Sequence, residues 1–450
     1  MIMIQKKYDV VVAGGGTAGF AAAVAAARNG ARTLLIEKNG WIGGTSVMGV
    51  PLLGVFDGND EQAACGITEE IVQRMVRENG SVGHVRTARW SNNGHMTGDR
   101  FALTPFDSEC FKYVSQEMVL GAGAEILLGT YITGVEKQGN TITGLHFVNK
   151  SGFGQVEASV IIDCTGDADV CAFAGAEMVH KERVQNSSIL FTLNGVDLDR
   201  AERALEEGDH IDGWGWWHSR IAREKRLDSD REGVIHMAGH FRPYDDQEVT
   251  FTAISQREGE VYLNATRVAG IDSTDAESLT YGNLQEIRNI HKLVKALKEK
   301  VPGFENAYLA RTCELGIRES RSVVGDYVLT GDDVFEHRPF EDVVVRGAYP
   351  SDIHDPNGGR TQFIFIKDGK SYGIPYRCFL PKGLEGLMVA GRCISASQEA
   401  NGSVRLQGTV IDHGQAVGTA AALAVKQKIT PRSLDVRLLQ KVLLEQGAKL

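Results

Sequence analysis

The sequence predicts an α/β protein: a mostly parallel, Rossmann-like sheet accompanied by a second region. Three observations carry this expectation. Residues 8–13 and 33–37 are short apolar runs of strand type, and an alanine-rich helical stretch, 20–27, lies between them. The cluster Gly14-Gly15-Gly16-Thr17-Ala18-Gly19 joins the first strand to that helix. At 450 residues the chain is longer than one ordinary domain of ~100–200, so a second region sharing an interface is expected.

The elements justify themselves in order. Gly14, Gly16 and Gly19 satisfy G-x-G-x-x-G between a strand and a helix, the context that this dinucleotide fingerprint requires. Gly14 allows the tight turn, Gly16 lets backbone approach a pyrophosphate, and the helix start near Thr17 and Ala18 faces negative charge. Glu37 ends the second strand eighteen residues after Gly19, placed to bond ribose hydroxyls. Lys38 follows, and then a second glycine pair, Gly43-Gly44-Thr45. Residues 124–135 and 141–148 read as a hairpin around Gly139-Asn140. Residues 160–164 form a strand ending in Thr165-Gly166-Asp167, and 387–390 another ending in Gly391-Arg392. Further strands are expected at 187–193, 249–254, 259–264 and 362–366. Leu284, Ile287, Ile290, Val294 and Leu297 lie at helical spacing, the mark of an ordinary surface helix. Gly414-Gln415-Ala416-Val417-Gly418 reads as a helix start, and 436–444 as a terminal packing helix.

Composition excludes other classes. Hydrophobic residues at 42% and charged residues at 24% describe an ordinary globular chain. A net charge of −10 opposes a nucleic-acid partner. Glycine is abundant at 52 residues and proline scarce at 10, which fits tight turns around a ligand rather than low complexity. Seven scattered cysteines show no C-x-x-C spacing, so no metal and a reducing, cytoplasmic setting are expected. No apolar run approaches the ~18 residues of a membrane span, and the first residues carry no secretory h-region.

These pieces resemble the glutathione-reductase-like FAD superfamily. Five segments in particular look like its FAD-dependent oxidoreductase family, a bacterial branch in which many members have no known substrate. They are Ile317-Arg318-Glu319-Ser320-Arg321, Tyr327-Val328-Leu329-Thr330, Asp352-Ile353-His354-Asp355-Pro356, Gly373-Ile374-Pro375-Tyr376-Arg377 and the run from Ala390-Gly391-Arg392 to Arg405. The resemblance implies a three-layer FAD-binding domain assembled from 1–45, 105–180 and 375–430. It implies a helix-and-loop insertion at 46–104 near the flavin, an inserted substrate domain of mixed helix and strand at 181–374 and a C-terminal helix at 431–450. FAD is then held by Gly14, Gly16, Thr17, Ala18, Gly19, Glu37, Lys38, Gly43, Gly44, Thr45, Ile132, Thr165, Gly166, Asp167, Gly391, Arg392, Gln415 and Gly418. With no histidine in 39–48, where some relatives attach flavin covalently, the FAD is expected to be non-covalent. The chain departs from the family pattern at Asp412-His413, where small or apolar residues are expected.

The chemistry expected is hydride transfer between a small organic substrate and flavin N5, with an electron partner and oligomeric state that the sequence leaves open. His413 is a candidate acid/base, weighed against a packed or capping histidine. Arg405 is a candidate clamp for an anionic substrate group, and Arg392 for the same or for the pyrophosphate, weighed against arginines that bond loop carbonyls. The N–H groups near Gln415 and Gly418 are candidates to stabilise the reduced ring, weighed against close helix packing. Arg318 and Arg321 read as residues that ion-pair within the substrate domain. His236 and His240 are a weak metal pair, and Trp214, Trp216 and Trp217 beside His218 either a stacking wall or a packed loop. Rival functions are an FAD oxidase using oxygen and a flavin-binding subunit of an electron-transfer assembly. A pyridine-nucleotide disulfide reductase is disfavoured, since no second fingerprint and no paired cysteines occur.

Overall fold

The computed structural model describes the chain apart from residues 1–4, 87–90, 93–94, 97–101, 182–183, 207–216, 227, 230, 245–246 and 355–361. Its first two strands are β1 (Gln5–Ala13) and β2 (Thr33–Ile36). The helices in chain order are α1 (Thr17–Arg28), α2 (Ile67–Arg77), α3 (Ser108–Gly121), α4 (Asp169–Ala174) and α5 (Leu198–Glu206). They continue with α6 (Ala276–Lys300), α7 (Gly331–Phe335), α8 (Gln398–Val404), α9 (Gln407–Gln427) and α10 (Val436–Glu445).

A seven-stranded sheet forms the centre. Its order is Glu125–Leu127, β2, β1, Gly152–Asp163, Thr141–Asn149 and Tyr131–Gln138, with Leu387–Val389 also pairing with Gly152–Asp163. β1 is parallel to both neighbours, with Val12 opposite Leu35 on one side and Ile162 on the other. Its valines explain why it lies in the middle. Val10 and Val12 enter one apolar core, Val11 and Ala13 another, so the period-two alternation serves two buried faces. The hairpin expected here is real but shorter: it joins Tyr131–Gln138 to Thr141–Asn149, while Glu125–Leu127 is a separate parallel strand.

A second sheet of eight antiparallel strands runs Tyr308–Thr312, Phe191–Asn194, Glu260–Asn264, Gln247–Arg257, Glu232–Tyr244, Trp217–Arg226, Val85–Arg86 and Ala102–Leu103. The last two come from the segment expected to hold only helices and loops. α6 covers this sheet with Ile290, Leu293, Val294 and Leu297, which meet Phe191, Leu193, Val261 and Leu263. Leu284 and Ile287 point outward instead, because the buried face of α6 runs through Gly282, Glu286 and Ile290 and leaves them on the other side of the helix. Expected strands at 187–193 and 362–366 reduce to Phe191–Asn194 and Gln362–Ile364.

α9 is the element that sequence reading misplaced most. It begins at Gln407, seven residues before the glycine expected to open it. Gly414 and Gly418 lie in its interior because α1 crosses there. A Cβ on Gly414 would meet the Ala18 carbonyl oxygen at 2.1 Å, and one on Gly418 the Ala22 oxygen at 2.3 Å. The alanines of α1 make the same approach possible from the other side.

Candidate functional site

Three turns leave the carboxyl ends of parallel strands together, where β1 has β2 on one side and Gly152–Asp163 on the other. In open α/β sheets a ligand crevice forms where connections leave a central strand in opposite directions. Gly14 takes φ +97°, and a Cβ there would lie 2.5 Å from the Cys164 carbonyl oxygen, so only glycine fits between the two turns. Gly16 is the N-cap of α1 and offers no side-chain cap. No described residue accepts a hydrogen bond from the N–H groups of Gly16, Thr17 or Ala18. A Cβ on Gly16 would meet nothing nearer than the Gly44 Cα at 3.9 Å. An uncapped helix start with an open approach has the N–H groups and the dipole to receive an anion.

The second glycine pair folds onto the first. Gly43 N–H donates to the Gly15 carbonyl at 2.7 Å. The Thr17 hydroxyl bonds the Ser46 hydroxyl at 2.8 Å and lies 3.4 Å from that of Thr45. Glu37 is buried at the end of the β2 crossover. Its Oε2 accepts from Gly15 N–H at 2.6 Å and its Oε1 from Asn39 N–H at 2.9 Å. Burial pushes its carboxyl up, against the pull of those two N–H groups. Each oxygen keeps a further lone pair for a hydroxyl donor. Lys38 is exposed, and Ile132 is half-buried on Tyr131–Gln138, packed against the sheet core. A dinucleotide with a ribose hydroxyl and a pyrophosphate fits this donor and acceptor set.

The Thr165-Gly166-Asp167 and Gly391-Arg392 turns are locked to each other. Arg392 donates to the Gly166 and Ile317 carbonyls at 2.9 and 2.7 Å and to Asp167 Oδ1 at 2.7 Å. Asp167 Oδ1 also accepts from the Ser273 hydroxyl at 2.7 Å. Thr165 is turned inward, its hydroxyl donating to Asp163 Oδ1 at 2.7 Å. Every guanidinium nitrogen of Arg392 therefore has a partner within the chain, which is the structural role and leaves no free fork for a pyrophosphate.

The candidate residues on α9 are placed otherwise than expected. His413 is fully buried in the second turn, its ring edge-on to Phe379 at 5.1 Å. Burial pushes its imidazole down to about 3, so it stays neutral. A proton carrier needs access and a pKa near working pH; His413 has neither and packs the core. Gln415 is also buried, and its Oε1 accepts from Ile67 N–H at 2.8 Å, capping α2. With the helix starting at Gln407, the exposed N–H groups are not those near Gln415 and Gly418. Asp412 accepts from the Thr68 hydroxyl at 2.6 Å and Cys65 N–H at 3.2 Å. The departure from the family pattern at 412–413 is thus taken up by an α2–α9 contact. Trp214 and Trp216 lie outside the described residues, as do Asp355 and Pro356, and His236 and His240 fall on the strand Glu232–Tyr244 rather than a helix.

Arg405 does stand in a polar cluster. It caps the C-terminus of α8, one residue before the N-cap of α9. Its Nη2 donates to the Asp352 carbonyl at 3.0 Å and meets Gln185 Oε1 at 3.4 Å and Asp352 Oδ2 at 3.9 Å. Arg318 donates to the Asn186 carbonyl at 2.7 Å and the Ser188 hydroxyl at 2.8 Å, and among the described residues it forms no ion pair within 4.0 Å, contrary to expectation. Arg321 does form an ion pair, with Asp169 at 2.5 Å, but Asp169 lies in 105–180 and not, as expected, within 181–374. Burial, with the charges of Arg267 and Arg405, pushes Arg318 down to about 9. Burial alone would raise Asp352, but His354, Arg405 and Arg318 hold it well below the carboxylate range. Burial lowers His354 to about 4. Sequence reasoning missed Gln185, Arg267 and the carboxylate of Asp352 as members of one cluster. They come from three separate segments with no shared motif or period, so only the fold brings them together.

Comparisons with known proteins follow the same line. A geranylgeranyl bacteriochlorophyll reductase-like protein from Thermoplasma acidophilum is 15% identical, over 99% of this chain and 85% of that one, with a TM-score of 0.47. The flavin-dependent brominase Bmp2 is 14% identical over 98% and 83%, with a TM-score of 0.49. The p-nitrophenol 4-monooxygenase PnpA from Pseudomonas putida DLL-E4 is 13% identical over 98% and 87%, also at 0.49. No curated protein matches the chain. The sequence matches the family described as FAD dependent oxidoreductase from residue 9 to residue 443, and with nearly its whole length so covered the chain belongs to that family of FAD-using enzymes.

Proposed function

We propose that the protein moves hydride between a small organic substrate and a non-covalently bound FAD, on a glutathione-reductase-like scaffold assembled from 1–45, 105–180 and 375–430. The observation that carries the cofactor half of this reading is the uncapped start of α1, with Gly16 open toward the chain's exterior and Glu37 beside it. Gly16, Thr17, Ala18 and Gly19 would meet the pyrophosphate through their N–H groups, and Glu37 the ribose. Gly43, Gly44 and Thr45 would close over the same stretch, while Gly391 and the Thr165-Gly166-Asp167 turn, braced by Arg392, would form its other wall. Bound FAD supplies the hydride centre. What the chain adds is orientation, and Arg405 is the residue best placed to hold a polar substrate group.

Two measurements test this. Acid denaturation should leave all yellow colour in the supernatant as FAD, and colour in the precipitate would defeat the non-covalent reading. A substrate screen under anaerobic conditions, followed by loss of flavin absorbance, should find a compound that bleaches the enzyme. Fast reoxidation of the reduced protein in air would instead mark an oxidase.

A further inference from the structure

Buried charge needs a partner, and the cluster around Asp352 is short of one. Arg405 meets it from the α8–α9 junction, and the charges of Arg318, from the segment after Tyr308–Thr312, and of Arg267, from the segment after Glu260–Asn264, act on Asp352 and His354. Among the described residues the only carboxylate within 4.0 Å of these three guanidiniums is Asp352, at 3.9 Å from Arg405. Nearby acids are engaged elsewhere. Glu319 pairs with Lys181 at 3.1 Å, and Glu286 accepts from Ile189 N–H, Thr266 and Asn289. Among the described residues, three positive charges therefore have one carboxylate close by in a largely buried space, while Glu319 and Glu286 act on Arg405 and Arg318 only from farther off. An uncompensated buried ion is costly, and folds retain such a group where something supplies the opposite charge.

A second observation points the same way. Gln185 is 2% exposed, and its Oε1 accepts from His354 N–H at 3.0 Å, which fixes which way the amide faces. Among the described residues its Nε2 finds no acceptor, and neither does the Nε of Arg405. Buried donors without acceptors are rare in native proteins. Here two of them lie in the cluster that lacks negative charge. The location also suits a substrate: Arg405 lies two residues before the start of α9, whose first residue, Gln407, donates its side-chain amide to the Val50 and Pro51 carbonyls at 3.2 Å, in the segment that follows the glycine-pair loop.

We propose that Arg267, Arg318, Arg405 and Gln185 form a binding site for the carboxylate of a small organic acid, which is the substrate class of the enzyme. This rests on the reading above only for the word substrate; the anion site itself stands on the cluster. Planar guanidiniums and an amide N–H₂ match a carboxylate in geometry as well as charge. An acid with two carboxylates would complete the charge balance better than one.

The test uses protein purified with its FAD and titrates it with succinate, benzoate and acetate, with sulfate and neutral succinamide as comparisons. Calorimetric titration and melting temperature are both read. At least one of the carboxylates should bind and raise the melting temperature, with succinate ahead of acetate and succinamide inert. Arg318→Gln and Arg405→Gln should weaken that binding by about 10-fold or more. Arg405→Lys keeps the charge without the fork and should recover part of it. Gln185→Glu separates a ligand site from a structural one. It supplies the missing negative charge within the chain, so it should raise the melting temperature of the free protein and abolish carboxylate binding. FAD-loaded protein that binds none of the three acids would overturn the site, as would equal binding by Gln185→Glu. Carboxylate binding by a protein isolated without FAD would overturn the cofactor reading and leave the anion site standing.

Discussion

On the proposed reading Glu37 and Gly16 would meet the same nucleotide by different physics, so their substitutions should differ. Glu37→Ala removes the acceptor for ribose and also frees Gly15 N–H, which it now holds at 2.6 Å. Hydrogen bonds to a charged group contribute ~1.5–3 kcal/mol each, so FAD affinity should fall by ~10–100-fold. Gly16→Val places a branched side chain in the approach now bounded only by Gly44, and FAD content of the purified protein should fall further. Equal flavin-to-protein absorbance ratios in both variants and wild type would reduce the glycine turn to a structural feature. Asp412 makes a different prediction. Burial pushes its carboxyl up to about 8, above an unfolded value of ~3.9, so the folded state holds a proton that the unfolded state releases. Stability is then greatest below ~4 and declines as pH rises toward 8. Asp412→Asn keeps an acceptor for Thr68 without that decline, so its melting temperature should gain on wild type between pH 5 and pH 9. One pKa unit of linkage is worth ~1.4 kcal/mol, so a constant gap across this range would mean Asp412 is ionised when folded.

At the scale of elements, the legible parts were those whose role is written locally. β1, α1 and β2 carry their own pattern: alternating valines for two cores, alanines for close packing, glycines for the turn. α9 was misread because its glycines have two possible meanings, helix start or helix contact, and the sequence does not say which. The deciding fact is the crossing with α1, a contact between residues nearly four hundred positions apart. Gln415 and His413 were carried along by the same error, since shifting the helix start by seven residues moves both from the mouth to the interior. The crossing is itself testable. Gly418→Val must push its side chain into the Ala22 carbonyl and the Ala25 methyl, which lie 2.3 and 2.9 Å from where its Cβ would stand. Backbone cannot retreat cheaply, so overpacking should cost at least ~1–3 kcal/mol. Gly121→Ala, where no neighbour lies within 4 Å and the backbone is helical, should cost nothing in the same urea titration. Comparable midpoints for the two variants would show that α1 and α9 do not touch there.

One ion pair joins the turns of the parallel sheet to segments of the second sheet. Arg392 leaves the turn after Leu387–Val389 and reaches both Asp167, at the end of Gly152–Asp163, and the Ile317 carbonyl beside the second sheet. Asp167 in turn accepts from Ser273, which leads into α6 and the core beneath the eight strands. Burial would raise Asp167, but the charge of Arg392 and the hydroxyls of Ser273 and Ser320 bring it below its ordinary value. A depressed carboxyl contributes stability that is present at neutral pH and lost as pH falls below the unfolded value of ~3.9. Arg392→Ala strands that carboxylate without its cation, a loss of ~3–5 kcal/mol for a buried pair. The deficit against wild type should be largest near pH 7 and shrink as pH falls below the unfolded value of ~3.9, where wild type progressively loses the stability that its depressed carboxyl contributes. Calorimetry adds a second readout. The parallel sheet and the eight-stranded sheet have separate apolar cores, so a chain that melts as one unit needs coupling between them. If the Arg392–Asp167 contact supplies that coupling, the variant should melt in two steps at pH 7 where wild type melts in one. A single transition with unchanged midpoint would mean that the cores are tied elsewhere and that Arg392 serves only its own turn.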